Sequence, residues 1–237
     1  MPRIALIGGT SLLESREFHR GKHLTQATAY GEVHLLLQGE LVFLQRHGLD
    51  GYTPPHRIDH RAHVAALHAA GVTRILAVGS VGSLRRDIPP GSIVFPHDFY
   101  APHLSITFFD DSRGHRTPGF DRPWRDHMLA IWRQCGLPEP VDGGVYWQTI
   151  GPRFETPAEI RAHQSIADLV GMTLAAECIL AGELSIPYAA LCMVDNHANG
   201  ITDHPLTFEA FKEQVRVNKE KLLTCVDTLL TGLTQTS

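Results

Sequence analysis

The chain has 237 residues, 43% of them hydrophobic and 19% charged, with a net charge of -4. That balance supports a sizeable core, lacks the basic footprint of a nucleic-acid binder, and leaves no apolar run near the length a bilayer span or membrane anchor needs. The run from Met1 to Thr10 is too short for a signal peptide, and Cys135, Cys178, Cys192 and Cys225 stand far apart without a C-x-x-C, which suits a reduced, cytoplasmic setting.

No Pro/Ser-rich or charge-rich linker divides the sequence, so residues 1–237 read as one α/β domain. Short β-branched or Leu-rich runs at 4–7, 33–37, 41–44, 75–78, 93–95 and 189–194 alternate with stretches of helical period, predicting a mixed twisted β-sheet flanked by helices. Gly8-Gly9-Thr10 follows the first run. Glycine there lets backbone N–H groups approach an anion while Thr10 adds a hydroxyl, although a tight turn leaving a buried strand explains the same residues. The G-x-G-x-x-G of a dinucleotide fold is missing, which argues against a nicotinamide cofactor. Gly39-Glu40 separates two strand runs as an antiparallel hairpin would.

Arg46-His47-Gly48 closes the run at 41–44. A guanidinium fork beside an imidazole can hold a phosphate dianion, and a solvated loop with an Arg–carboxylate pair is the alternative. A helix from about 57 to 70 stops at Gly71, and Thr73 opens the next strand. Among the fifteen histidines, His56, His60 and His63 cluster here, but no cysteine or carboxylate completes a ligand set, so no metal is expected and His60 and His63 read as polar-face residues. In the turn from Gly79 to Leu84 glycine and small hydroxyl residues alternate, which suits either an anion or close strand–helix packing. Thr156-Pro157-Ala158-Glu159 forms a capping box, so Glu155 sits just ahead of a helix N-terminus. The last helix begins near Thr207 and runs through Leu230, with Phe208, Phe211, Val215, Leu222, Val226 and Leu229 on its core stripe.

Taken in order, Gly8-Gly9-Thr10, Arg46-His47-Gly48, Pro55-His56-Arg57-Ile58, the Gly79 to Leu84 turn, Gly151-Pro152-Arg153-Phe154, Met172-Thr173 with Glu177, and Met193 to Asn196 resemble the trimeric purine nucleoside phosphorylases. The most similar branch is the methylthioadenosine phosphorylases, over about residues 3–230. The resemblance implies a nucleoside-phosphorylase-like fold, a homotrimer, and inorganic phosphate as co-substrate with no metal or organic cofactor. It places Thr10, Arg46, His47, Gly79, Ser80 and Thr173 at phosphate, Met172 beneath the ribose, Phe154 beside the base, and Glu177 near the sugar hydroxyls or their support. His115 falls at a histidine that closes the neighbouring subunit's pocket. By themselves Met172 and Phe154 would read as core packing, and Glu177 as a surface charge.

The base pocket departs from that branch. Methylthioadenosine phosphorylases carry a small Ser after the phenylalanine and an Asp-x-Asp after the last strand, whereas this chain has Glu155, with Asn196 and Ala198 at the two aspartate positions. Glutamate and asparagine there resemble the phosphorylases of inosine and guanosine. A 6-oxopurine carries a hydrogen on N1 that Glu155 can accept, while adenine presents a bare lone pair that a carboxylate repels. Asn196 can donate to O6 and accept from a protonated N7. At the 5' end, Phe208 aligns where the methylthio branch has an apolar residue, and a one-residue shift would bring His204 there instead. The resemblance therefore implies phosphorolysis of S-methyl-5'-thioinosine, with Asn196 and Glu155 serving the purine. Inosine/guanosine phosphorylase, methylthioadenosine phosphorylase and a catalytically silent nucleoside-binding protein are the alternatives.

Overall fold

The computed structural model describes residues 3–12, 21–49 and 51–235; Met1 and Pro2 of the first run lie outside them. Strands β1 (Ile4–Gly8), β2 (Lys22–Thr28), β3 (Gly31–Gln38) and β4 (Leu41–Gln45) precede helix α1 (His60–Ala69). Strands β5 (Arg74–Ser83), β6 (Ile93–Phe95) and β7 (Asp98–Tyr100) lead to α2 (Arg122–Gln134), then β8 (Val141–Asp142) and β9 (Val145–Gln148) to α3 (Pro157–His163). Strand β10 (Leu169–Gly171), α4 (Leu174–Glu183), β11 (Tyr188–His197) and α5 (Phe208–Gln235) complete the order.

The described strands form an eleven-stranded mixed sheet, ordered β2-β3-β4-β1-β5-β10-β9-β7, with β11, β6 and β8 branching from β5. The expected hairpin joins β3 and β4 antiparallel, turning at Gly39 with φ 60°. Alternate residues of β5 enter different layers: Ile75 and Ala77 pack with α1 and α4, Leu76 and Val78 with α2 and α5. A strand covered on both faces reads as a continuous apolar run, as 75–78 does.

The branching at β5 creates the feature on which the site depends. Strand β11 pairs along β5 from Ile75 to Ser83. On the opposite edge β1 pairs only as far as Ala77, and β10 takes over at Gly82. Residues 78–81 thus face a notch between two strands, where the hydrogen-bond ladder is interrupted.

Two helical expectations need correction. The 57–70 segment divides into a 3-10 turn at Pro55–Arg57 and α1, whose first turn is capped by Asp59 accepting the Ala62 N–H at 2.9 Å; Gly71 ends it at φ 75°. In α5 the stripe holds at Leu222, Val226 and Leu229, but Phe208 is 56% exposed and Phe211 and Val215 are only half-buried. The first turns of α5 meet the 151–156 loop, through Phe211 against Phe154, instead of a sheet face.

Candidate active site

Arg46 leaves β4 and turns into the protein, where it is 2% exposed. Its Nε and Nη2 donate to the two oxygens of Glu177 at 2.7 and 3.0 Å, and Nη1 donates to the Val78 carbonyl, inside the notch, at 2.7 Å. The Tyr188 hydroxyl donates to Glu177 Oε2 at 2.7 Å. Burial alone would push the Glu177 carboxyl up, but the charge and hydrogen bonds of Arg46 outweigh it and hold the carboxyl below the ordinary glutamate range. Glu177, completely buried, therefore braces the guanidinium, and the remaining N–H groups of the fork stay available to an anion. A Cβ on Gly9 would stand 2.5 Å from Arg46 Nη1, so this glycine makes room for the arginine.

The other phosphate candidates gather around the same notch. Val78 turns its carbonyl into the opening, and the two-residue alternation of backbone direction along a strand turns the Ser80 N–H the same way. The Ser80 hydroxyl donates to Asp195 Oδ2, whose Oδ1 accepts from Asn218 Nδ2 at 2.8 Å. Gly79 is a packing requirement, since a Cβ there would lie 2.8 Å from Leu174 Cδ1. Thr173 is the N-cap of α4 but its side chain caps nothing: the Tyr146 hydroxyl accepts from the Thr173 N–H at 3.1 Å, and Gln148 Oε1 accepts from Ala175 and Ala176 at 2.7 and 3.1 Å. What Thr173 can offer is its hydroxyl. His47 Nδ1 lies 2.8 Å from the Thr53 carbonyl, which can only accept, so Nδ1 carries the proton and Nε2 turns a lone pair toward Thr10 Oγ1 at 3.4 Å. Burial drives the His47 pKa down to about 4, so near neutral pH the ring is neutral, donating at Nδ1 to Thr53 and accepting at Nε2.

The base candidates stand on the loop before α3 and on the end of β11. The Glu155 carboxyl is buried and accepts from the Thr149 hydroxyl at 2.6 Å through Oε1; burial pushes its pKa up, and the Thr149 hydrogen bond opposes the rise. The Thr149 N–H bonds the Gly171 carbonyl at 2.8 Å, next to Met172, whose sulfur would lie 2.6 Å from a Cβ on Gly151. A bulge in β11 between Val194 and Asn196 sends Asp195 into its bonds with Ser80 and Asn218. Half-buried Asn196 lies against Gly82, where a Cβ would be 2.9 Å from Nδ2. Ala198 packs with Leu84, Trp147 and Ile201 in a small apolar cluster, which leaves no acceptor for an adenine amino group at that position. Phe154, Phe211 and Phe208 form a connected aromatic run, with centroids 5.6 and 6.2 Å apart.

The histidines of α1 lie elsewhere than expected. His60 is buried, not on a polar face, with Nδ1 3.9 Å from Glu177 and no hydrogen-bond partner among the described residues; the Nδ1 of His63 is likewise buried without one among them. Exposed His115 sits in a loop held by Glu183, which accepts from the Thr107 hydroxyl and the Phe108 N–H, both at 2.6 Å. His204 is exposed, and its carbonyl accepts from Thr202. Tyr188, Thr149, Tyr146 and Gln148 escaped the sequence reading, and Phe211 was read as core stripe instead of as a neighbour of Phe154. Only Phe211, one turn after Phe208, left a periodic signal.

Comparison with known proteins gives a consistent picture. Residues 3–231 match the phosphorylase superfamily. A curated relative from Archaeoglobus fulgidus, a probable 6-oxopurine nucleoside phosphorylase, is 37% identical over 94% of both chains. Another from Methanothermobacter thermautotrophicus, a probable S-methyl-5'-thioinosine phosphorylase, is 38% identical over 97% of this chain and 84% of its own. Among solved structures, methylthioadenosine phosphorylase from Schistosoma mansoni in complex with adenine superimposes with a TM-score of 0.84 at 22% identity, covering 99% of this chain and 93% of the other.

Proposed function

The chain belongs to the phosphorylase superfamily, and from that premise we propose that it catalyses the reversible phosphorolysis of S-methyl-5'-thioinosine to hypoxanthine and 5-methylthioribose 1-phosphate. The observation that carries the base assignment is the buried Glu155 carboxyl: it accepts from Thr149 on Oε1, and its oxygens have lone pairs enough to accept a 6-oxopurine N1–H as well. Asn196 and the apolar setting of Ala198 support the same base, as do the activities named for the curated relatives. The aromatic run ending at Phe208 suits a thiomethyl group, whereas a hydroxyl left unpaired there would cost about 1–3 kcal/mol.

Phosphate occupies the notch, held by the free edge of the Arg46 fork, the Ser80 N–H and the Thr10 and Thr173 hydroxyls. Neutral His47 accepts a hydrogen bond on Nε2 from the O–H of a hydrogenphosphate. As the glycosidic bond lengthens, positive charge grows on the sugar, and the adjacent anion both stabilises it and attacks C1'. The C1'–N9 bond breaks as the C1'–O bond to phosphate forms, and Asn196 supports the departing base as N7 gains a proton from solvent, matched by the proton that the hydrogenphosphate releases to solvent on becoming the ester dianion. Phosphate is a co-substrate, and the scheme uses no metal or organic cofactor. The whole chain acts as one domain within a cytoplasmic homotrimer, where His115 closes a neighbour's pocket. Tyr52, exposed and stacked on His47, and Phe208, exposed at the proposed 5' wall, are apolar surfaces that a neighbouring subunit would cover.

A phosphorolysis panel of methylthioinosine, methylthioadenosine, inosine and adenosine tests this reading. Methylthioinosine should give the highest kcat/KM. Preference for methylthioadenosine would overturn the base assignment, preference for inosine the 5' assignment, and uptake of nucleoside without phosphate-dependent release of base would make the chain a binder.

A further inference from the structure

The segment between β11 and α5 is fastened to the base loop by one side chain. Half-buried Asn199 donates from Nδ2 to the Glu155 carbonyl at 2.8 Å and accepts the Leu206 N–H on Oδ1 at 3.0 Å. The next residue, Gly200, has φ 84°, and a Cβ there would lie 3.0 Å from Pro157 Cβ, two residues beyond Glu155. Ile201 anchors the same stretch in the cluster with Ala198 and Ile160. Two residues past Leu206, Phe208 opens α5, and the Thr207 hydroxyl caps that helix by accepting from the Ala210 N–H at 3.1 Å.

We propose that Asn199 is a positioning residue that couples the two ends of the nucleoside site, its amide fixing the Glu155 backbone and the start of α5 together, so that base recognition and the 5' wall form as one unit. The proposal rests on the assignment of Glu155 to the base and Phe208 to the 5' group. The chemistry requires an amide: one end must donate to a carbonyl while the other accepts from an N–H, and alanine, aspartate or leucine each lose at least one of these functions. Asn199 touches none of the groups around Arg46, so phosphate should be indifferent to it.

The test compares parent, Asn199→Ala and Asn199→Asp with methylthioinosine and inosine, varying phosphate separately. Asn199→Ala should raise the KM for methylthioinosine about ten-fold, the effect of losing roughly two ordinary hydrogen bonds. It should also shrink the preference for methylthioinosine over inosine and leave the KM for phosphate within about two-fold. Asn199→Asp keeps the acceptor for Leu206 but sets a carboxylate against the Glu155 carbonyl, and should behave like alanine. Parent-like values in Asn199→Ala, a parallel rise in the KM for phosphate, or parent-like values in Asn199→Asp would each overturn the coupling while leaving the proposed reaction standing. Backbone hydrogen exchange provides a readout independent of substrate. In Asn199→Ala, peptides covering 151–157 and 200–207 should both exchange faster, and acceleration in only one of them would overturn the coupling even if no 6-oxopurine nucleoside is cleaved.

Discussion

At the scale of single residues, the proposed role of Glu155 as a base discriminator rests on a carboxylate that burial has changed. Its pKa is raised by burial, so it reaches the ionised form proposed to accept N1–H only at a higher pH than an exposed glutamate would. Activity on 6-oxopurine nucleosides should therefore fall as pH drops through that raised value, giving an acidic limb above the usual glutamate range in kcat/KM. Glu155→Gln should flatten the limb and lower kcat/KM for methylthioinosine roughly 10- to 100-fold, as expected for losing a hydrogen bond to a charged group. A pH profile of the two proteins checks this, and an unchanged limb in the variant would assign it to another group. The stability sign runs the other way: a buried carboxyl with a raised pKa costs stability once ionised, so the variant should be no less stable than the parent near neutral pH. Glu155 was legible in the sequence because it departs from a known motif at a fixed position. Thr149, which holds its Oε1, was not, because a hydroxyl six residues upstream means nothing until the chain turns back at Gly151.

At the scale of elements, the end of β4, the middle of β5, the first turns of α4 and the start of β11 meet at Arg46, Val78, Glu177 and Tyr188. Removing one member of a buried ion pair strands the other, so Glu177→Ala should cost about 3–5 kcal/mol of stability and raise the KM for phosphate. Replacing the network together, with Arg46→Met, Glu177→Leu and Tyr188→Phe, should recover most of the stability without recovering phosphate affinity. Thermal unfolding and phosphate titration separate the two, and tight phosphate binding by the triple variant would remove Arg46 from the site. The resemblance implied a place for Glu177 near the sugar hydroxyls or their support; its bond to Arg46, 131 positions away, is one that no local pattern spans. Strands such as β8, two residues long, and β7, Asp98–Tyr100, were equally out of reach: they are too short to carry a periodic pattern and are defined by pairing with β6 and β9. The long apolar runs in β1, β4, β5 and β11 were legible because burial on both faces needs many apolar residues in succession. The stripe on α5 misled at Phe208 because helical period says which residues align, not which turns have a sheet beneath them.

At the scale of the whole molecule, the proposed homotrimer and the proposed role of His115 make the site a shared object. If His115 acts on a neighbour, a protein lacking it and a protein lacking a functional Glu155 carry lesions that can fall in different pockets of one assembly. Coexpressed His115→Ala and Glu155→Gln chains should then give mixed trimers with more activity than either parent variant, measured per chain after copurification. Mixed assemblies no more active than the average of the two would confine His115 to its own chain or remove it from the site. The notch in β5 carries a consequence at this scale as well. A sheet in which one strand departs at Ala77 and another arrives at Gly82 is missing a rung, and the anion proposed to bind there would supply it. Phosphate would then be a removable piece of the architecture as well as a reactant, tightening the fold each time it binds and loosening it each time it is consumed.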